Sequence, residues 1–454
     1  MGSTSGINLS SLLSALGSTS SGINVSAAVA AAISSLSAPE QQWESEQQTL
    51  QTQTSDINQI QTDVSALETS LNALGDPAGA LASMTATSSD TSVVTASAAA
   101  GTAAGTHVVV VNNIASAASS YSNSVASSST ALAAGSFTIQ MGSGTSTTIQ
   151  IGGSVDTLDQ LTSYINGLGL GVTANVVTDS SGARLSLTSN ATGSANGFTI
   201  TNASGLTFTQ ASTGQDASLT VDGIPIDSAS NTVTGVINGL TLNLTGASPG
   251  GQVTVSVAPD VSTASQAIAT FVGAYNTAIN DVNTQYTVGA NNTEGPLAGD
   301  PTVEMLQNAL LSVAGYSGGG NGVSTLADLG ITMNKDGSLT LDSSTLTNAI
   351  QTNFSAVQNF MQGVSSNGFV SSISNQLSTL TDPADGAFTV DLQSISSENS
   401  DLQDQINNFQ TYLNTQQTLL TAEYNQADIA LQEIPREQAQ INAELGYPPT
   451  TTPS

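Results

Sequence analysis

The chain of 454 residues has no cysteine, one histidine and only three basic side chains, set against 33 acidic ones. Without cysteine it can form neither disulfides nor thiolate metal sites. Its formal net charge of -30 repels phosphate, which argues against binding nucleic acid or anionic membrane surfaces. Only 8% of the residues are charged, so solubility depends on uncharged polar side chains, as suits an exposed extracellular protein.

Long apolar runs are also missing. The segment from Met1 to Ser10 has no basic n-region and no apolar h-region, so it does not resemble a cleaved secretory signal. The stretch from Ala27 to Ile33 is mostly alanine and is far shorter than the roughly 20 residues that a membrane-spanning helix needs. We therefore expect no membrane insertion, and export, if it occurs, by a route without a cleaved signal.

Residues for catalysis are equally scarce. His107 is the single histidine and stands beside four valines, so neither a catalytic triad nor a zinc site can form around it; a strand-edge or partly buried position is expected. The turn from Asn334 to Gly337 weakly resembles a calcium loop but lacks two of its acidic ligands, which favours a plain β-turn. Carboxylates could pair as in glycosidases, but the sequence selects no pair. We predict no enzymatic activity, no cofactor and no metal.

Heptad repeats mark both ends of the chain. A predicted helix starts near Pro39 and stops at Gly75, and Pro435 interrupts the heptad pattern of a second near the end of the chain. The a/d positions of the first are Trp43, Leu50, Ile57, Ile60, Val64, Leu67, Leu71 and Leu74, and those of the second include Ile395, Leu402, Ile406, Phe409, Leu413 and Leu420. Neither helix is stable without a partner. We predict that the two stripes form a coiled-coil assembly element; two unrelated helices of separate bundles are the alternative.

The middle of the chain changes from helical to alternating periodicity. Between Thr91 and Val257, short apolar-alternating runs predict strands, and Asp222-Gly223 predicts a hairpin turn. A short helix with Thr157 as its N-cap interrupts the strands. The Ser/Ala-rich stretch 115–134 has little pattern and is predicted to be a loop or linker. Helical periodicity returns after Val257, and Asp300-Pro301 is predicted to cap a further helix.

These elements predict an α+β fold, with a long antiparallel helical coiled-coil stalk formed by both termini and β-rich head domains inserted between them. The predicted units are a flexible N-terminal segment (1–38), an N-terminal stalk helix that pairs with C-terminal helices (39–90), a first β-rich head domain (91–134 and 215–260), a second β-rich head domain (135–214), a helical leg with a small hairpin (261–388), a C-terminal stalk helix (389–445) and a disordered tail (446–454).

The order of short motifs resembles the flagellar hook-associated protein 2 family over nearly the whole chain. The N-terminal pieces are Gly22-Ile-Asn-Val25, Ala27–Ile33, Pro39-Glu40 and Gly105–Ala115. A group similar to the flagellin/hook IN motif comprises Thr157–Leu161, Ile165-Asn166, Gly171-Val172, Leu185–Ser189 and Thr192-Gly193. The remaining pieces are Asp222-Gly223, Ser230-Asn231, Gly239–Leu242, Phe271-Val272, Ala274–Asn276, Leu297–Asp300, Leu326–Ile331 and Lys335–Leu339. Each piece alone is weak, but their order and spacing together are specific.

This resemblance implies a homo-oligomeric cap, typically a pentamer, at the distal tip of the bacterial flagellar filament. Such a cap promotes flagellin folding, insertion and polymerisation, and motility depends on it. The resemblance also implies type III export with an export chaperone, and contacts with flagellin and filament-junction proteins. An extracellular adhesin that binds glycans, or another axial flagellar protein, are the alternatives. Because every subunit carries a charge of -30, we expect assembly to be favoured by mild acid or by salt.

Overall fold

The computed structural model describes residues 24–287, 294–318, 322–363 and 367–445. Within them, helices occupy both ends of the chain and strands the middle, so the predicted α+β class is confirmed. Residues 1–23 of the predicted flexible segment and the predicted tail at 446–454 lie outside the described residues.

The helices and strands follow one another with few long connections. The helices are α1 (Val25–Leu36), α2 (Ala38–Gly75), α3 (Leu158–Gly167), α4 (Val261–Tyr286), α5 (Pro301–Ser312), α6 (Ser343–Gln362), α7 (Phe369–Thr381) and α8 (Ala387–Glu444). The strands are β1 (Met84–Ser88), β2 (Val94–Ala98), β3 (Gly105–Asn113), β4 (Ser119–Ser122), β5 (Gly135–Met141), β6 (Ser146–Ile151), β7 (Val172–Asp179), β8 (Gly182–Ser189), β9 (Phe198–Thr201), β10 (Phe208–Ser212), β11 (Ala217–Val221), β12 (Ile224–Ser228), β13 (Thr232–Ile237), β14 (Leu240–Leu244), β15 (Val253–Pro259), β16 (Ile331–Met333) and β17 (Leu339–Leu341).

Helix α1 corrects the prediction of a flexible N-terminal segment (1–38) for residues 25–36. It begins after Asn24, whose side chain accepts the N–H of Ala27 as an N-cap. Ala28 and Val29 are buried, and the helix packs against α8. A helix of this length is marginal on its own. Its order therefore depends on α8, a contact that the local sequence does not reveal.

Helix α2 has the predicted start and stop, but the boundary that follows it was placed too late. Pro39 lies in the first turn, and the helix ends at Gly75. A 3₁₀ turn then buries Leu81, and β1 begins at Met84. The stalk helix therefore does not reach residue 90, and the first head domain begins before residue 91.

The first head domain joins strands from two distant parts of the chain. Its five-stranded antiparallel sheet has the order β1-β15-β3-β11-β12, and a three-stranded sheet has the order β13-β14-β2. Their inward-facing residues, including Val94, Val109 and Leu242, form one apolar core. The predicted turn at Asp222-Gly223 joins β11 to β12, and both residues have the positive φ that primed hairpin turns require.

The second head domain has its own core between two sheets. One sheet has the order β10-β4-β8-β7 and the other the order β6-β5-β9. Helix α3 contributes Leu158, Leu161 and Ile165 to this core. Its N-cap is Thr157, as predicted, since the hydroxyl of Thr157 accepts the N–H of Gln160.

The stretch 115–134 is not a simple loop, and most of it does not belong to the first head domain. Its strand β4 lies inside the four-stranded sheet of the second head domain, between β10 and β8. The buried hydroxyl of Ser122 accepts the N–H of Leu185 at 2.9 Å. Small polar side chains satisfy the backbone there without the apolar alternation by which a strand is recognised in a sequence.

The leg contains α4 to α7 and the β16–β17 hairpin. Tyr275 of α4 is buried, and its hydroxyl lies 3.0 Å from the carbonyl oxygens of Leu310 and Gly337, which ties α5 and the hairpin to α4. Asp300 caps α5 as predicted, accepting the N–H groups of its first turn. The residues from Asn334 to Gly337 form the hairpin turn. No helix in the described ranges is long and apolar enough to cross a membrane.

Candidate assembly interface

The stalk seam is the contact between the first part of α2 and the first half of α8. Gln410 donates from Nε2 to Oε1 of Glu40 at 2.8 Å, and Gln47 donates to Oε1 of Gln403 at 3.0 Å. Residue numbers rise along one helix as they fall along the other, so the pair is antiparallel. Neutral amides donate both of these hydrogen bonds, one to a carboxylate and one to another amide, and no basic residue takes part.

An aromatic contact lies near one end of the stalk seam. The rings of Trp43 and Phe409 meet edge to face, with centroids 5.3 Å apart, and Tyr412 stacks on Phe409 at 5.7 Å. Edge-to-face pairs contribute about 0.5–1.5 kcal/mol beyond the area that they bury. Because Trp43 is the only tryptophan in the chain, its fluorescence reports on this seam alone.

The structure buries most of the predicted assembly residues. The buried ones are Leu50, Ile57, Ile60, Val64, Leu67, Leu71, Leu74, Ile395, Leu402, Ile406 and Leu413. Trp43, Phe409 and Leu420 are half-buried. Burial alone does not show which of these residues contact another subunit, so their role in assembly stays a prediction.

The predicted pairing of the two heptad stripes holds only for the first part of α2. The second half of α2 packs mainly on α4 and α7, and its residues from Ile57 to Leu74 belong to the leg core. A heptad stripe specifies that an apolar face must be covered, but not by which helix. The stalk seam is therefore shorter than the two stripes suggest.

Three buried residues near the seam were missed by the sequence analysis. Phe388 is fully buried and lies seven residues before Ile395, so it continues the predicted heptad stripe. Ala28 and Val29 of α1 follow the Asn24 cap and face α8. The heptad register could have identified Phe388, whereas α1 needed knowledge of its partner.

The second half of α8 presents an apolar surface to solvent. We define distal α8 as residues 419–445. Its exposed large apolar side chains are Leu419, Ile429, Leu431, Ile434, Ile441 and Leu445. They are between 47% and 67% exposed, whereas Ile395, Leu402, Ile406 and Leu413 of the first half are buried. Pro435 lies within the helix without ending it. An amphipathic helix of this kind needs a partner to be stable.

His107 has a structural partner. It lies on β3, which is an interior strand of its sheet, so the predicted strand-edge position is wrong, whereas the predicted partial burial is confirmed. Its Nδ1 is 2.8 Å from Oδ2 of Asp222, and Asp222 Oδ1 accepts the N–H of Val108. The hydrogen bond from His107 lowers the pKa of Asp222. Among the described residues no group of three metal-ligating side chains occurs.

Comparison with known proteins extends this picture to most of the chain. Three family models match it: the flagellar hook-associated protein 2 N-terminus over residues 21–118, the flagellin hook IN motif over 136–191, and the flagellar hook-associated protein 2 C-terminus over 214–435. The chain belongs to the flagellar hook-associated protein 2 family. The N-terminal model covers α1, α2 and the first strands of the head, and the C-terminal model ends within distal α8.

Individual members of the flagellar hook-associated protein 2 family agree with this assignment. The B-type flagellar hook-associated protein 2 of Pseudomonas aeruginosa is 28% identical over 381 residues, which cover 74% of this chain and 79% of that protein. The Salmonella typhimurium flagellar hook-associated protein 2 is 33% identical over 157 residues, 33% of each chain. The crystal structure of the D1-D2-D3 domains of the Escherichia coli flagellar cap protein FliD superposes with a TM-score of 0.60 at 27% identity, covering 75% of this chain and 99% of that one.

Proposed function

We propose that this chain is a subunit of the cap at the distal end of the bacterial flagellar filament, where it promotes the folding, insertion and polymerisation of flagellin. One observation carries this proposal: family models match both ends of the chain, and 75% of the chain superposes on the D1-D2-D3 domains of the Escherichia coli flagellar cap protein. The activity is structural rather than enzymatic. The protein works outside the cell, at the filament tip.

The terminal helices form the coiled-coil stalk of this cap subunit. The antiparallel polar contacts and the contact of Trp43 with Phe409 support the stalk, because they join helices from opposite ends of the chain. The buried heptad residues of both helices support it as well. The inserted head domains are then held at a fixed place relative to the stalk.

Distal α8 is the surface that we assign to contacts with other proteins in the filament. Its exposed apolar residues have no partner of sufficient size within the described chain, and such faces mark interaction sites. Other copies of the chain in a pentamer, flagellin and filament-junction proteins are the proposed partners. An export chaperone is proposed to cover the same face before assembly.

Gene deletion in the bacterium that makes this protein tests capping. We expect loss of filaments and release of unpolymerised flagellin into the medium, because no cap retains the subunits at the tip. A plasmid copy of the natural sequence should restore filaments, and antibody labelling should place the protein at their tips. Normal filaments in the deletion strain, or label spread along them, would contradict capping.

Sedimentation velocity and cryo-electron microscopy of the purified protein test the subunit number. A pentamer is expected, with a larger assembled fraction at 0.15 M salt than at low salt, because the Debye length falls to about 8 Å and screens exposed carboxylates. A closed ring of another size would correct the number without affecting capping. A protein that stays monomeric at all salt concentrations would contradict self-association.

A further inference from the structure

Two pairs of carboxyl groups lie where the terminal helices meet the leg. In the first pair, Asp63 of α2 faces Asp281 of α4. In the second, Asp391 of α8 faces Asp300, the N-cap residue of α5. Each pair therefore joins one terminal helix to one internal helix. Two ionised carboxylates cannot hydrogen-bond to each other, so both contacts are unfavourable unless a proton is shared.

The first pair lies in a largely covered contact. Asp63 is only 9% exposed, and Nε2 of Gln59 donates to both of its carboxylate oxygens, at 3.1 and 3.3 Å. The carboxyl group of Asp281 is within hydrogen-bonding reach of Asp63, and Asp56 adds a further negative charge. Burial, followed by these neighbours, raises the pKa of Asp281 to about 6.

The second pair contains an unsatisfied buried atom. Oδ2 of Asp391 is buried and has no hydrogen-bond partner. Oδ1 of Asp300 is already used, since it accepts the N–H groups of Thr302 and Val303 at 2.8 and 3.1 Å. A proton between Asp391 and Asp300 would satisfy this orphaned oxygen. Burial, followed by the charge of Asp300, raises the pKa of Asp391 to about 6.

No positive charge offsets either pair. Apart from the paired carboxyls, the nearby titratable groups are Asp56 on α2, Glu304 on α5 and Tyr286 on α4, and none of these is a cation. Helices α6 and α7 contain no titratable side chain. None of the three basic residues acts on the pKa of Asp281 or Asp391: Arg184 is in the second head domain, Lys335 in the hairpin turn of the leg and Arg436 in distal α8. Proton uptake is therefore the available way to relieve the repulsion.

We propose that proton uptake at the Asp63–Asp281 and Asp300–Asp391 pairs tightens the docking of α2 and α8 on the leg. A shared proton converts two repelling acceptors into a donor and an acceptor, forming an O–H···O hydrogen bond in each contact. Because these hydrogen bonds form only when a proton is bound, we expect mild acid to stabilise the leg. This proton-dependent docking is a property of the single chain, so it is separate from capping and does not depend on the partners of the assembled protein.

The direction of the stability change, and the pH range in which it occurs, follow from the coupling of proton binding to folding. A carboxyl whose pKa is higher in the folded protein binds more protons folded than unfolded between about pH 4 and 6, so stability increases as pH falls through that range. Capping carboxylates act in the opposite sense at lower pH. The hydrogen bonds that Asp342 accepts lower its pKa to about 2, so its contribution is lost only below the usual carboxyl range. The leg should be most stable between these two ranges, near pH 4 to 5.

Thermal unfolding of the full chain, followed by the helical signal in far-UV circular dichroism at constant ionic strength, tests the proposal. From pH 7.5 to 5.0, the midpoint of the natural protein should rise by about 2–5 °C. Asp281→Asn and Asp391→Asn remove one charge from each pair at nearly constant size. The double variant should already have the higher midpoint at pH 7.5 and should respond little to pH. Asp404→Asn, on the exposed face of α8, is the matched control and should behave as the natural protein does.

Potentiometric titration gives a second, independent measurement. Between pH 7.5 and 5.0 the natural protein should take up about two more protons than the double variant, one for each pair. A midpoint that is flat or falls on acidification would overturn the proposal, as would equal proton uptake by the two proteins. If the variants do not fold, infrared spectra of the natural protein decide: absence of a protonated-carboxyl band at pH 5.5 overturns it.

Discussion

The second head domain and the leg build their cores in opposite ways. The core of the head domain uses a nearly continuous stretch, residues 118–208. The core of the leg uses residues from 50 to 402 and needs both terminal helices at once. Closing so long a loop costs conformational entropy before any contact compensates for it. The comparison indicates that the head can fold by itself, whereas neither end of the chain can form the leg alone.

Replacing Leu67 with Asp should have the largest effect, because it should unfold the leg and leave the head folded. Leu67 is fully buried in the leg core, so the substitution places an unpaired charge there, at a cost of about 4 kcal/mol or more. We expect lost helicity and lost assembly, with the strands of the head still folded, measured by circular dichroism and sedimentation. The matched control is Leu419→Asp, at a residue that is 53% exposed, which should change monomer stability by less than about 0.5 kcal/mol. Unchanged helicity in Leu67→Asp would contradict the predicted core.

Isolating the head tests its independence directly. A fragment of residues 84–259 should be a soluble monomer with one or two cooperative unfolding transitions. A fragment of residues 91–259 lacks β1, which pairs along β15, and should melt about 5–10 °C lower. Far-UV circular dichroism against temperature gives both midpoints. An unfolded longer fragment, or equal midpoints, would show that the head depends on the leg or that β1 does not stabilise it.

The stalk seam should be weaker than the leg core. Trp43→Ala removes the contact with Phe409, but this site is only half-buried, so we expect a cost of about 1–2 kcal/mol. Hydrogen exchange should increase in α1 and around Phe409 and stay unchanged at Tyr275 in the leg. Trp43→Phe keeps a ring and should retain most of the protection. Equal deprotection of the leg would mean that seam and leg open together.

The smallest expected effect concerns the head hairpin. Asp222→Asn keeps a side chain that tolerates positive φ but removes the carboxylate next to His107. The pKa of Asp222 is lowered in the folded protein, so its contribution is present above the ordinary carboxyl range and is lost as pH falls below it. Because Asp222 is well exposed, we expect about 0.5 kcal/mol at pH 7 and none near pH 2. A pH-independent loss in chemical denaturation would attribute the effect to turn geometry.

Local signals in the sequence predicted local structure well. Asp222-Gly223, the Thr157 cap and the Asp300-Pro301 start each describe a turn or a helix end, and each is formed by residues within a few positions of one another. The heptad stripes likewise identified most of the buried residues of α2 and α8. These features depend on backbone geometry and side-chain periodicity, which a single segment contains.

Features that depend on a distant partner could not be predicted in the same way. Strand β4 has little apolar alternation and is stabilised by its neighbours in the sheet, and α1 is ordered by α8. The division of α2 between α8 and the leg helices is likewise a property of the tertiary fold. The proposed partners of distal α8 are other protein chains, whose surfaces the sequence of this chain does not describe.

Inserting the head between the two halves of the stalk also fixes a temporal order. Any process that delivers the chain from its N-terminus, whether synthesis or export, releases α2 first and its partner α8 last. Gln47 emerges 356 residues before its hydrogen-bond partner Gln403. During that interval the head can complete its sheets, since its last strand ends at Pro259. The first part of α2, which forms the stalk seam with α8, meanwhile remains uncovered, so the unfinished chain stays vulnerable to aggregation until its final helix appears.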